Sequence, residues 1–270
     1  MNILFIGGGN MAAAIIGGLV GQGRVPSTLH AVDVLPEALS RLEKQFGIRT
    51  SADGKAAAAG ADCIVLAVKP QQMREVATAL APALKGQLII SIAAGIRSGD
   101  LARWLGPAAH VVRAMPNTPA LVAAGITGLY AMPGVSKTQR QDAENILAAV
   151  GDTFWVDREN QLDAVTAVSG SGPAYVFYFI EALEQAGREL GLSREIARQS
   201  ALATFAGAVK LATTDAADPA TLRARVTSKG GTTERAISAL DESAVKAAFI
   251  RAVRAAAERA AEMGDALGKD

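Results

Sequence analysis

The chain has 270 residues, half of them hydrophobic, with 27 Lys and Arg against 26 Asp and Glu and a net charge of +1. That length suits one large domain or two ordinary ones, and no basic block points to nucleic acid or an anionic membrane as partner. The single cysteine, Cys63, excludes an internal disulfide and a thiol zinc site, and no metal is expected.

The opening "MNILFIGGGN" lacks a basic n-region, so no signal peptide is expected. No stretch of 18 apolar residues is free of charges or clustered glycine. No membrane span is therefore expected, and the expected location is the cytoplasm. Strand-like runs follow at Ile3–Ile6, Leu29–Val32, Cys63–Val68, Leu88–Ile92, His110–Arg113, Ile126–Ala131 and Thr153–Val156. Between the first five lie segments long enough for crossover helices, such as Glu37–Phe46 and Gln72–Ala83. Strands alternating with helices imply a doubly wound α/β domain with a parallel sheet. Cys63 sits in the run "CIVLAV" and reads as a small buried hydrophobe. The only histidines, His30 and His110, each open a strand-like run. Histidine acid–base chemistry is thus close to excluded, and the reaction needs little proton transfer or another group.

The first strand runs into "IGGGNMAAAI". Gly7, Gly9 and Ala12 have G-x-G-x-x-A spacing between a strand and a helix, the setting in which this motif binds a dinucleotide. Gly7 permits the turn, Gly9 lets a pyrophosphate approach, and Ala12 keeps the helix near the sheet. Asn10 and Met11 complete the helix N-terminus facing the phosphates. Asp33 ends the second strand, where an acid accepts from the adenosine ribose of NAD, while NADP favours a basic or small polar residue. A second reading of Asp33 is a cap for the helix starting near Glu37. Later loops fall on the same expected ligand side. They are Ala67, Val68, Lys69 and Pro70 in "AVKPQ"; Ala93, Ala94 and Gly95 in "SIAAG"; and Met115, Pro116 and Asn117 in "RAMPNTPA". Their prolines read either as a stiff pocket wall or as plain strand terminators.

After about Glu159 the strands stop, which sets domains at 1–159 and 160–270. Helical patterns cover Asp163–Val168, Pro173–Leu190, Arg194–Thr213, Ala220–Val226 and Ala244–Leu267. "SGSGPAY" contains Ser171 and Gly172 and reads either as a pocket-closing turn or as a cap. The helical tail is broken by "TSKGGTT" and restarts at about Thr233. Two glycines in a helix interior cost about 1 kcal/mol each, so this break invites a reason. Backbone N–H groups at such a turn suit a carboxylate. A plain cap by Thr232 or Thr233 is the other reading.

The ordered set "FIGGGNMAAAI", "LAVKPQ", "SIAAGI", "RAMPNTPALV", "AVSGSGPAYVFYFIEAL" and "VTSKGGTTERAI", from Ile3 to Ala236, resembles pyrroline-5-carboxylate reductases. Each element alone is degenerate, but their order along the chain is specific. The resemblance implies a Rossmann-type domain followed by an all-helical dimerisation domain that interleaves with a second chain, as a dimer or a higher oligomer of dimers. It implies reduction of Δ1-pyrroline-5-carboxylate to L-proline by NADP or NAD in reduced form. It also implies that the loop of Ser228, Lys229, Gly230, Gly231 and Thr232 receives the substrate carboxylate, that Thr233 bonds near the ring nitrogen, and that Ser228 and Thr233 are the catalytic pair. Two features depart from the family: Lys229 stands where proline is frequent, and Asp33 disfavours the NADPH that the family commonly uses.

Hydride transfer to an imine that arrives protonated needs orientation and water exclusion more than an acid, in keeping with the scarce histidines. Two rivals remain at the level of sequence. One is a β-hydroxyacid dehydrogenase, for which Lys210 and Lys229 are the only lysine candidates and lack the expected context. The other is a nucleotide sensor without turnover.

Overall fold

The computed structural model describes residues 1–107 and 109–269. The first half alternates β1 (Ile3–Ile6), α1 (Asn10–Gly21), β2 (Leu29–Val32), α2 (Pro36–Phe46), β3 (Arg49–Ser51), α3 (Gly54–Ala58), β4 (Cys63–Leu66), α4 (Met73–Leu80), β5 (Leu88–Ser91), α5 (Ser98–Leu105) and β6 (His110–Met115). Then come β7 (Gly125–Ala131), α6 (Lys137–Leu147) and β8 (Gly151–Trp155). The helical part comprises α7 (Gln161–Val165), α8 (Gly172–Glu189), α9 (Arg194–Thr214), α10 (Pro219–Arg225), α11 (Thr232–Glu242) and α12 (Val245–Leu267).

The eight strands among the described residues form one sheet in the order β3-β2-β1-β4-β5-β6-β7-β8. All residues of β1, β4 and β5 are buried, because helices cover both faces. Ile3 and Phe5 pack with Ile15, Ile16 and Leu19 of α1 on one face. Leu4 and Ile6 pack with Met73, Ala77 and Leu101 on the other. A strand buried on both faces loses polar alternation, which explains why these runs read as unbroken apolar stretches.

The sheet departs from the all-parallel expectation at one step: β7 pairs antiparallel to β6, with Met115 opposite Gly128. The connection between them holds only a short 3₁₀ turn at Thr118–Val122. A parallel return needs a crossover of about a dozen residues or more, so this chain turns straight back. The antiparallel partner also extends β6 beyond Arg113. Strand β3 escapes a hydrophobic scan because "RTS" is polar and lies on the sheet edge.

The chain divides into two compact units, Met1–Ser171 with Ala256–Asp270, and Gly172–Ala255. In the second unit the only buried residues among those described are Ala197 and Ala201. Tyr175 and Phe179 stack edge-on against Phe249 there, and α8 packs on α9. No described helix is long and apolar enough to cross a membrane.

Candidate active site

Strand order reverses between β1 and β4, and open α/β sheets bind ligands at that crevice, beyond the carboxyl ends of the strands. Gly7 lies there. Its N–H donates to the Val32 carbonyl at 2.7 Å. Its φ is +102°, and an added Cβ would stand 2.6 Å from the Ala67 carbonyl oxygen, so the turn admits only glycine. Gly9 differs: an added Cβ there would meet no protein atom within 4 Å. Gly9 is also the extended N-cap of α1, and no side chain accepts from the first-turn amides of that helix. The amides of Asn10, Met11 and Ala12 therefore lie at the positive end of a twelve-residue helix. Ala12 packs its methyl into the core beneath them. Open space above Gly9 and free helix amides fit a pyrophosphate.

Asp33 follows directly on β2. Its Oδ2 accepts from the Gly8 N–H at 2.6 Å and its Oδ1 from the Leu35 N–H at 2.9 Å. It does not cap α2, whose N-cap is Leu35 without a side-chain bond. A cleft of about 820 Å³ joins Asp33 to Gly7, Gly9, Ala67, Val68 and Lys69, all of which the sequence reading selects. Pro70 opens the 3₁₀ turn behind Lys69. The cleft is also lined by Asp53, Lys55, Gln72 and Val76, which sequence reading missed. Asp53 has a recognisable signal as the N-cap of α3, accepting from the Lys55 and Ala56 amides. Nothing in the sequence marks Lys55 or Val76.

Beyond β5 and β6, the other selected loops lie along the same carboxyl edge. Ala93 is buried, and its N–H donates to Ser91 Oγ at 3.4 Å. Ala94 precedes Gly95, which has φ +72° and faces Met263 and Leu267 of α12 at 3.2 Å from an added Cβ. Met115 Cε would stand 2.6 Å from a Cβ on Gly170, so the end of β6 presses on the π-helical turn Thr166–Gly170. The next residue, Pro116, leads to Asn117, whose side chain is committed to backbone. Its Nδ2 donates to the Ser169 carbonyl and its Oδ1 accepts from the Ile126 N–H.

A buried ionic group underlies these loops and was not legible in the sequence. Arg113, 5% exposed at its side chain, pairs with Glu159 at 3.1 Å. Glu159 also accepts from Ser98 N and Ser98 Oγ, both at 2.6 Å. Burial raises the Asp163 carboxyl above its ordinary range, and the nearby Arg113 and Arg97 charges partly oppose that rise. Arg97 reaches the Ala261 carbonyl and Asp265 of α12. Both histidines lie at the opposite edge, where parallel strands begin. His30 bonds Ser51 Oγ, and His110 Nδ1 meets Gln139. Burial, with Arg49 adding to it, lowers the His30 pKa.

The expected substrate loop belongs to the second unit, between α10 and α11. Ser171 ends the first unit and Gly172 begins the second. The Gly231 N–H donates to the Ser228 carbonyl at 3.0 Å, closing a turn with Lys229 and Gly230 at its centre. Gly230 has φ +74°, the third-position geometry that demands glycine. Lys229 holds the second position, where proline would pre-set φ. The lysine itself is exposed. The loop differs from the expectation of backbone N–H groups turned toward a carboxylate: Gly231 is bonded as stated, and the Gly230 N–H donates to Glu234 Oε2 at 2.6 Å. A bound carboxylate must displace Glu234 or use the amides of Thr232 and Thr233. The cap reading is also corrected. Gly231 is the N-cap of α11, which starts at Thr232, and neither threonine caps it through its side chain.

Residues 159–263 match the family profile "Pyrroline-5-carboxylate reductase dimerisation", and residues 2–95 match "NADP oxidoreductase coenzyme F420-dependent". A pyrroline-5-carboxylate reductase of Pseudomonas aeruginosa is 49% identical over 99% of this chain and 98% of its own. A solved pyrroline-5-carboxylate reductase from Coxiella burnetii superposes with a TM-score of 0.92 at 42% identity, over 97% of this chain and 98% of its own. The Plasmodium falciparum pyrroline carboxylate reductase, solved with NADP bound, gives 0.88 at 30% identity, over 98% of each chain. These relatives match along essentially the whole chain, from the glycine-rich loop after β1 to the end of the helical part, and the chain belongs to the pyrroline-5-carboxylate reductase family.

Proposed function

We infer that this chain reduces Δ1-pyrroline-5-carboxylate to L-proline with NAD(P)H, the final step of proline biosynthesis. The observation that carries the reading is the open space over Gly9 beside free α1 amides, in a chain whose whole length matches such reductases. When bound, the reduced nicotinamide supplies the hydride. With the imine nitrogen already protonated, no side chain of this protein would need to donate a proton for the secondary amine to form. The protein's part is orientation and exclusion of water. We assign dinucleotide binding to residues 1–159, with the pyrophosphate at Gly9, Asn10 and Met11. Substrate binding and assembly are assigned to 160–270. There, Ser228 and the start of α11 receive the carboxylate and Thr233 faces the ring nitrogen. The test is loss of reduced-nicotinamide absorbance on adding pyrroline-5-carboxylate, with NADH and NADPH in parallel and hydroxyacids as controls. Turnover of hydroxyacids alone, or cofactor binding without turnover, overturns it. We also propose the cytoplasm as its location. The lone thiol of Cys63 is buried, and burial pushes its pKa up, so it lends no disulfide framework of the exported kind.

Asp33 bears on the cofactor. A carboxylate there accepts from ribose hydroxyls and repels a 2′-phosphate. Asp33→Ser is expected to raise the NADPH/NADH ratio of kcat/KM about tenfold, one charged contact's worth. An unchanged ratio in a folded variant rejects the assignment.

The chain self-associates through its helical part. A unit whose buried residues are two alanines cannot hold itself together by its own core. Phe177, 64% exposed, and Val176, Tyr178 and Leu183 leave α8 with an apolar surface for a second chain. Removing 244–270 is expected to abolish both assembly and activity, because the same segment carries Phe249 and the residues packed on Gly95. An active monomer by light scattering would contradict this.

A further inference from the structure

The Gly8 main chain is held on two sides by opposite charges. Asp33 Oδ2 accepts from its N–H at 2.6 Å, and Arg41 Nη2 donates to its carbonyl at 2.9 Å. Arg41 lies on α2, whose Leu42 and Ala38 side chains would stand 3.1 and 3.4 Å from a Cβ on Gly8. This helix is therefore seated directly against the glycine-rich loop. Among the described residues Arg41 has no ion-pair partner, so its guanidinium is not diverted by an acid. Arg41 is also absent from the walls of the cleft that Gly7, Gly9 and Asp33 line; it borders a separate hollow beside α1.

We propose that Arg41 is a positioning residue for the dinucleotide, acting through the Gly8–Gly9 peptide and not by touching the cofactor. A trans peptide is planar, and its C=O and N–H point opposite ways. Drawing the Gly8 carbonyl toward α2 turns the Gly9 N–H away from α2. Gly9 is the residue whose open Cβ position faces the cleft. Asp33 sets the preceding peptide in the same way through the Gly8 N–H. The two charges together fix the rotation of consecutive peptides, so the loop presents its amides without rearranging when a pyrophosphate arrives.

This inference rests on the dinucleotide reading of the cleft, and direct binding separates the two. NADH and NADPH are titrated against the intact protein by nicotinamide fluorescence, alongside steady-state kinetics. Arg41→Ala is expected to raise Kd and KM for both cofactors by the same factor, about tenfold, as for loss of a hydrogen bond to a charged group. The value of kcat at saturating cofactor should stay within about twofold. Arg41→Lys should recover part of the loss, because a single ammonium can still reach one carbonyl. Loss confined to NADPH would mean that Arg41 touches the 2′-phosphate, and it overturns the proposal. So does an unchanged Kd. A wild-type protein that binds neither cofactor refutes the dinucleotide reading itself.

Discussion

Thr233→Ala is expected to lower kcat/KM for pyrroline-5-carboxylate by roughly ten- to a hundredfold and to leave a folded assembly that binds cofactor normally. The magnitude is that of one hydrogen bond to a charged group, about 1.5–3 kcal/mol of transition-state stabilisation. The fold narrows the alternatives. Helix α11 begins at Thr232 with Gly231 as N-cap, and no side chain provides the cap bond. Thr233 is thus the second helical residue, and among the described residues its hydroxyl has no hydrogen-bond partner. Losing it removes no cap, and alanine is the better helix former, so the melting temperature should hold or rise slightly. Thr232→Ala should be milder, since that residue is more exposed. If Thr233→Ala keeps full kcat/KM and merely melts earlier, the hydroxyl is structural and its assigned role is wrong.

Glu159→Ala should destabilise the protein by about 3 kcal/mol, the lower part of the range for breaking a buried ion pair. That corresponds to a fall in melting temperature of roughly 6–12 °C for a domain of this size. The penalty arises from the partner left behind. Arg113 is nearly inaccessible, so removing the carboxylate leaves a largely buried charge without its partner. Asp163 lies within electrostatic reach of Arg113 and can recover part of the charge, which keeps the expectation at the lower end. The Ser98 amide and hydroxyl lose their acceptor as well. Ser98 follows closely on Ala93, Ala94 and Gly95, so KM for NAD(P)H should rise with the loss of stability. Glu159→Gln keeps the hydrogen bonds without the charge and should fall between the two. A melting point within 2 °C of wild type for Glu159→Ala would show that the pair is dispensable.

Gly7 was legible because backbone geometry at a fixed offset from a strand end dictates its residue type. A turn needing φ +102° against a neighbouring carbonyl admits no other residue, so the chemistry is written in the residue type. The loops at Ala67 and Ala93 were legible for a related reason, because strand ends in an open sheet share one edge. Lys55, Arg41 and Glu159 were not. Each is a charged side chain in a segment where charge is ordinary, and its role comes from what folding brings near. Arg41 resembles any exposed helix cation until α2 is laid against Gly8. Glu159 looks like a loop acid until β6 and α5 converge on it.

What the sequence by itself determined is therefore the set of local geometries. The buried strands, the glycine turns, the helix starts and the break in the tail follow from short-range sterics and periodicity. It also determined the order of motifs along the chain, through which the family was visible. The tertiary structure alone decided the antiparallel return of β7 and the sharing of α12 between two compact units. It alone joined Glu234 to the Gly230 amide and committed Asn117 to backbone partners. The physical reason is one of range. Backbone conformation is set within a few residues, whereas hydrogen bonds and buried charges are satisfied by whichever groups the packed chain delivers. Asp33 shows both sides: its place after β2 is readable from the sequence, but its two bonds, to Gly8 and Leu35, exist only once β1 and β2 lie side by side.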